Sequence, residues 1–210
     1  MRKRVTALLL VMIMSVLCLQ PEAFAAYIQY SGDCGDHLTW TLNGSGILTI
    51  SGNGDMTDFD AHVWGLQEPW YDQKDRIREI VIEPGVTSIG TDAFEHSHYV
   101  TGVTIPDTVE RIGDCAFLMN IALEEVTLPE GLRSIGHSAF QYCEKLHKIN
   151  LPESLQSIGP CAFCEDPLTE AAIPDGVTVI EWSTFHDCQQ LRSVVLPDSV
   201  EEIGRNAFRG

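Results

Sequence analysis

"LRSIGHSAF", residues Leu132–Phe140, is one of six variants of a single phrase. The others are VTSIGTDAF (Val86–Phe94), VERIGDCAF (Val109–Phe117), LQSIGPCAF (Leu155–Phe163), VTVIEWSTF (Val177–Phe185) and VEEIGRNAF (Val200–Phe208). Successive phenylalanines are 23, 23, 23, 22 and 23 residues apart, and the isoleucines from Ile89 to Ile203 keep the same intervals. A fixed period of this length is the signature of a solenoid, in which no unit can bury its apolar side alone and neighbours must stack.

Each phrase is preceded by a second apolar set, such as Leu146, Ile149 and Leu151 before Pro152, or Leu191, Val194 and Leu196 before Pro197. The alternation of the last two residues predicts a short strand, which proline ends because it has no N–H for the ladder. Leu155 and Ile158 then form a second inward pair. Gly159 lets the chain turn, and Pro160 suits the first position of about one and a half turns of helix. Strands of adjacent units should lie parallel, about 4.8 Å apart. The expected architecture is a repeat solenoid, α/β but mostly β, with short parallel strands and short helical turns.

The residues before the repeats read differently. Leu38, Trp40 and Leu42 share one face, Asn43-Gly44 gives a turn, and Leu48 and Ile50 return, which is a β-hairpin signal. A β-rich capping module over 26–76 would cover the first layer of the solenoid, with Trp40, Trp64, Trp70 and Tyr71 as its filling. Six repeats then occupy 77–210, the last incomplete. The chain as given stops two residues past Phe208, so the last apolar layer is expected to lie open, to be covered either by further chain or by a partner.

At the other end, Arg2, Lys3 and Arg4 precede an apolar run from Val5 to Leu19 that closes near Ala23-Phe24-Ala25. This is the pattern of a secretory signal peptide over 1–25, with the mature chain starting near Ala26. Leu17 before Cys18 favours cleavage over lipid attachment. The chain is expected outside the cell, secreted or at the surface, with no membrane insertion once the signal is removed. It carries 13 Lys and Arg against 30 Asp and Glu, a formal net charge of −17. Nucleic acid and anionic membrane are poor partners for such a surface, since both depend on clustered basic residues.

The repeat resembles that of the BspA-like leucine-rich repeat family of bacterial surface proteins, which reads apolar-x-x-apolar-x-apolar-Pro and then apolar-x-x-Ile-Gly-x-x-Ala-Phe. The resemblance extends upstream, where GDCGDHLTWTLNGSGILTISGNGDM (Gly32–Met56) and PWYDQKDRIREIVIEPGVTSIG (Pro69–Gly90) look like the amino-terminal module preceding these repeats in secreted proteins of gut-dwelling Gram-positive bacteria. Departures are local: Glu181 stands for glycine, Thr184 for alanine, and the loop Cys164–Pro167 is one residue short. The resemblance implies adhesion or protein–protein binding, with an extracellular protein or glycan as partner.

In this register the outward strand positions form two columns: Glu79, Gly102, Glu125, Lys148, Glu170 and Ser193, and beside them Val81, Thr104, Thr127, Asn150, Ala172 and Val195. These are the candidate binding residues, because exposed strand faces are where solenoids bind partners. β-Favouring surface residues would give the same columns. A third column, Asp107, Glu130, Glu153, Asp175 and Asp198, follows the prolines. It reads better as turn-forming carboxylates than as calcium ligands. Asp55, Asp58 and Asp60 miss the EF-hand spacing.

No catalytic set emerges. His37, His62, His96, His98, His137, His147 and His186 occupy assorted slots, expected to be solvated surface, and no nucleophile elbow, Walker loop or Rossmann glycine pattern is present. The reading is a non-enzyme without cofactor or metal. A structural spacer presenting a further domain, or the non-catalytic part of a secreted enzyme, are the alternatives. Of the six cysteines expected in the mature chain, Cys34, Cys115, Cys143, Cys161, Cys164 and Cys188, the last four are disulfide candidates. Cys143 and Cys188 share a slot two units apart, about 10 Å, beyond the roughly 7 Å that a bridge tolerates. Cys164 could reach Cys143, Cys188 or Cys161. Cys161 and Cys164 are expected to face outward.

Overall fold

In the computed structural model the chain is described over residues 27–60, 63 and 65–210. The predicted signal segment, His62 and Trp64 lie outside these residues. β1 (Ile28–Gly35), β2 (Leu38–Asn43) and β3 (Ile47–Gly52) form an antiparallel meander. The hairpin closes where Asn43 accepts the N–H groups of Ser45 and Ile47 on its side-chain oxygen, at 2.9 and 3.0 Å. This Asx arrangement is why asparagine suits the position.

After β3 the chain begins to coil. β4 (Gly54–Asp55) leads to a 3₁₀ turn over Tyr71–Arg76, the only helix of any kind among the described residues. β5 (Glu79–Ile82) then pairs in parallel with β3, handing the meander's sheet directly to the solenoid. Two sides of the solenoid carry strands. On the first, β5 is followed by β7 (Gly102–Thr104) and β9 (Glu125–Val126). On the second, β4 is followed by β6 (Val86–Ile89), β8 (Arg111–Ile112), β10 (Ser134–Ile135) and β11 (Ser157–Ile158). Two smaller ladders continue the sides: β12 (Glu170–Ala172) with β14 (Ser193–Val195), and β13 (Val179–Ile180) with β15 (Glu202–Ile203).

The third side corrects the sequence reading, because tight turns stand where short helices were expected. Asp92, Cys115, Ser138, Cys161, Ser183 and Asn206 all have positive φ, between 51° and 59°. So do the residues two beyond the first five phenylalanines, His96, Met119, Tyr142, Glu165 and Asp187. A left-handed residue every fourth position forbids an i→i−4 ladder. Alternate N–H groups point instead to the next coil: Ser138 to Pro160 O at 2.9 Å, Phe140 to Ala162 O at 2.9 Å and Tyr142 to Cys164 O at 3.1 Å. Between them Gln141 and Cys143 bond back within the coil, to Ser138 O and Phe140 O, each at 3.2 Å. Left-handed backbone costs roughly 1–2 kcal/mol per non-glycine residue. The satisfied inter-coil bonds offset it, since a buried N–H left without a partner would cost as much.

Inside, the phenylalanines form one stack. Phe94, Phe117, Phe140, Phe163, Phe185 and Phe208 lie 5.2–5.7 Å apart, inclined by 3–23°. Trp70 extends the column by one rung, stacked on Phe94 at 5.4 Å with its Nε1–H donated to Ala93 O at 2.9 Å. Trp40 and Phe59 close it edge-on, each 5.8 Å from Trp70. Tyr71, expected in this cap, is instead exposed. At the opposite end Ile203 and Phe208 are exposed as well.

The glycine that five of the six phrases share has a steric reason. A Cβ on Gly136 would stand 2.6 Å from Asp114 N and Gly113 C, and one on Gly159 would stand 2.6 Å from Gly136 C and His137 N. Only glycine lets consecutive coils approach this closely. At Glu181 a side chain occupies the slot, and there the second ladder splits: β11 and β13 do not pair. We therefore expect Gly136→Ala to destabilise the fold by about 1–2 kcal/mol through forced separation of two coils. Urea unfolding monitored by circular dichroism measures it, and an unchanged midpoint would refute the steric reading.

Candidate binding face

The two columns expected to bind emerge on the first side of the solenoid. Ile80, Val103 and Val126 point into the core. The alternation inherent to a strand then turns Glu79, Gly102 and Glu125 outward, with Val81, Thr104 and Thr127 beside them. Parallel pairing sets Glu79 beside Gly102 and Gly102 beside Glu125. Gly102 has no side chain, and a Cβ built there would meet nothing within 4 Å. The result is a shallow depression of about 310 Å³ walled by Glu79, Val81, Thr104, Glu125 and Thr127.

The face does not run unbroken. Lys148 and Asn150, expected on a strand, are exposed on a segment without one, so the six-stranded sheet ends at β9. The next coil reaches this segment through Thr169 N–H to His147 O at 3.1 Å. Glu170, Ala172, Ser193 and Val195 then form a second patch, with a smaller depression of about 190 Å³ bounded also by Asn150 and Leu151. Val195 is 63 % exposed there, the largest apolar exposure on this face. The candidate residues thus fall into an acidic amino-terminal patch and a more apolar carboxyl-terminal one.

The carboxylates after the prolines are exposed, on turns closed by main-chain bonds such as Val109 N–H to Pro106 O at 3.1 Å and Leu155 N–H to Pro152 O at 3.0 Å. Among the described residues no group of three or more His, Cys, Asp or Glu side chains converges on a point that would hold a metal ion.

The thiols depart from expectation. Cys161 and Cys164 are buried, 9 % and 5 % exposed, rather than facing outward. The turn that carries them is bonded down onto the next coil, Cys161 N–H to Trp182 O at 3.1 Å and Glu165 N–H to His186 O at 2.8 Å, and that coil covers them. Cys164 Sγ lies 3.7 Å from His186 Nδ1. All six described cysteines are free thiols. Burial raises every one of the four candidates, and neighbouring acidic groups add to it for Cys143, Cys164 and Cys188, with Cys164 and Cys188 at about 12. Protonated, covered thiols are poor nucleophiles, so this C-x-x-C lacks the thiolate that redox chemistry needs.

Sequence reading missed a buried column three residues beyond each of the first five phenylalanines: Ser97, Asn120, Cys143, Asp166 and Cys188. Asn120 Nδ2 donates to Phe94 O of the preceding coil at 2.8 Å. Cys143 Sγ and Cys188 Sγ do the same to Phe117 O and Phe163 O at 3.5 and 3.0 Å. The period itself could have exposed the column, since these five slots repeat as strictly as the phenylalanines. It also missed the contact between His96 and His98, which meet at 3.3 Å, Nδ1 to Nε2. The local string Glu95-His96-Ser97-His98 carried that signal.

Parallel strands on two sides, glycine-spaced coils and a continuous phenylalanine stack define a leucine-rich-repeat solenoid. Within that class the chain belongs to the family of BspA-type leucine-rich repeats, whose model matches six copies over residues 66–188, more than half of its length. Similar solved structures are bacterial leucine-rich repeat proteins. One from Bacteroides ovatus is 31 % identical over 81 % of this chain and 43 % of its own, with a TM-score of 0.61. One from T. pallidum is 23 % identical over 82 % and 86 %, with a TM-score of 0.63. One from Eubacterium ventriosum is 22 % identical over 86 % and 63 %, with a TM-score of 0.55. The chain thus spans less than two thirds of the Bacteroides and Eubacterium proteins. No protein of curated function matches it.

Proposed function

We propose that this chain is a non-catalytic binding module, secreted or held at the bacterial surface, that engages an extracellular macromolecule through the strand face. The observation that carries the reading is the Gly102 depression. Two carboxylates, Glu79 and Glu125, stand two coils apart with an empty residue between them, on a chain of net charge −17. Such a notch suits a lysine or arginine side chain of a protein partner, and charge complementarity of this kind sets partner choice and encounter rate. Family membership supports a surface role, and the covered thiols of Cys161 and Cys164, raised by burial, argue against a thiol-based redox activity.

The test is capture from extracellular matrix and mucus. Gly102→Trp fills the notch while its Cβ meets no neighbour, so the fold is kept and binding is expected to fall at least about tenfold, as when a hot-spot contact is lost. The triple variant Glu125→Lys, Lys148→Glu and Glu170→Lys should slow association and reverse its salt dependence. Binding untouched by both variants would place the site elsewhere.

A further inference from the structure

The two strand columns carry neither tyrosine nor arginine, the residues that most often anchor a protein interface. One of each stands at the edge of the Gly102 depression. Thr101 N–H donates to Arg78 O at 2.9 Å, and Glu79 pairs with Gly102, so Arg78 precedes the notch by one residue on one coil and Tyr99 by three on the next. At about 3.3 Å per residue the Tyr99 backbone is within about 10 Å of Gly102. The Arg78 side chain is held from several directions. Its guanidinium carbon lies 4.9 Å from the centre of the Tyr99 ring, and Nη1 donates to Asp75 O and Ile77 O at 2.8 and 2.9 Å. Gly46 lies against its stem, where a Cβ would stand 3.0 Å from Arg78 Cγ. Arg78 and Tyr99 are nonetheless exposed, the tyrosine by 51 %. Charge pairing sets this arginine apart. Lys74, Arg111, Arg133 and Lys145 each lie 2.6–3.3 Å from a carboxylate oxygen, whereas no carboxylate among the described residues comes within ion-pair reach of Arg78. Its Nε–H and Nη2 donors are left over, and a fixed guanidinium with that edge open is the fork that takes a carboxylate through two parallel bonds.

Resting on the reading that the strand face binds a protein, we propose that Arg78, braced by Tyr99, is a carboxylate-binding anchor beside the Gly102 notch. The partner is an extended protein segment that carries an aspartate or glutamate about three residues from the lysine or arginine seated between Glu79 and Glu125. A carboxylate suits the place better than a doubly charged phosphate. Glu79 is the next residue and the chain carries a net charge of −17, so repulsion grows with the charge of the ligand. Together the two subsites require opposite charges at a set spacing, which is how charge complementarity admits one partner and rejects others.

Two short glycine-serine peptides test this, measured by fluorescence anisotropy against the full chain. One carries a lysine alone, the other a lysine and a glutamate about three residues apart. The second should bind at least about tenfold tighter, the gain expected of a hydrogen-bonded charge pair. Arg78→Lys keeps the charge but removes the fork, and Tyr99→Leu removes the brace. Each should abolish the gain and leave the lysine peptide bound as on the parent, which separates a lost anchor from a lost fold. Arg192→Ala, at the same register position near the other end of the solenoid, should change neither peptide. A double peptide no tighter than the lysine peptide, or one that Arg78→Lys binds as well as the parent does, would overturn the anchor and leave the notch standing. A lysine peptide indifferent to Gly102→Trp would instead remove the notch, and with it the partner described.

Discussion

Phe140→Ala is expected to cost about 3–5 kcal/mol, as large-to-small changes of buried aromatics do, while Phe208→Ala costs about 1 kcal/mol or less. Phe140 is fully buried between Phe117 and Phe163, at 5.2 and 5.7 Å. Its removal opens a cavity whose walls are tied by inter-coil bonds on the turn side and on the second strand side, so little relaxation can fill it. It also deletes two stacked contacts, each contributing roughly 0.5–1.5 kcal/mol beyond the area buried. Phe208 touches one ring, Phe185 at 5.5 Å, and is 37 % exposed, so water already shares its site. Parallel urea titrations of both variants measure the difference. Equal losses would mean that the carboxyl edge is covered in solution.

The comparison of these two phenylalanines also marks what was readable beforehand. The period places Phe140 inside with no structural information, because a stack of identical layers has a core wherever its apolar columns repeat. The hairpin over Leu38–Ile50 was equally legible from alternation and the Asn43-Gly44 turn. The third side was not. Gly159-Pro160 has the composition of a helix start, but the backbone of Cys161 is decided by the carbonyls of the coil above, which no local window contains. The same cause misplaced the two thiols.

For the candidate face, alternation identified the outward residues, yet the break at Lys148 and the notch at Gly102 depend on how neighbouring coils meet. A column drawn from sequence treats every rung as equivalent. The structure makes them unequal: Gly102 opens a depression between two carboxylates, Lys148 leaves the ladder, and Val195 exposes an apolar surface. The His96–His98 contact belongs to the same class, since spacing of two says nothing about whether two rings turn toward each other.

Asp166→Asn is expected to stabilise the protein by between about 1 and 3 kcal/mol at neutral pH, the range for relieving a buried group that lacks a partner. Asp166 sits in the buried column, 1 % exposed, with Oδ1 accepting the Cys143 N–H at 2.8 Å and no hydrogen-bond partner for Oδ2. Burial pushes its carboxyl well above the ordinary value, only partly opposed by the Cys143 bond. Asn120, Cys143 and Cys188 each donate to the phenylalanine carbonyl of the coil before, and by the same register the acceptor expected opposite Asp166 is Phe140 O. An ionised carboxylate cannot make this bond, whereas an amide can, as Asn120 demonstrates at 2.8 Å. The pH dependence follows with a definite sign. Below the ordinary carboxylate range both folded and unfolded chains hold the proton and the group is harmless. As pH rises, the unfolded chain releases its proton first, so the folded state loses stability until its own raised pKa is passed. The difference in unfolding free energy between Asp166→Asn and the parent should therefore be small near pH 3, grow as pH rises, and level off once folded Asp166 ionises. Denaturant titrations at several pH values measure it. A difference independent of pH would show that Asp166 is solvated or otherwise paired in the folded chain, and that the buried column does not penalise its charge.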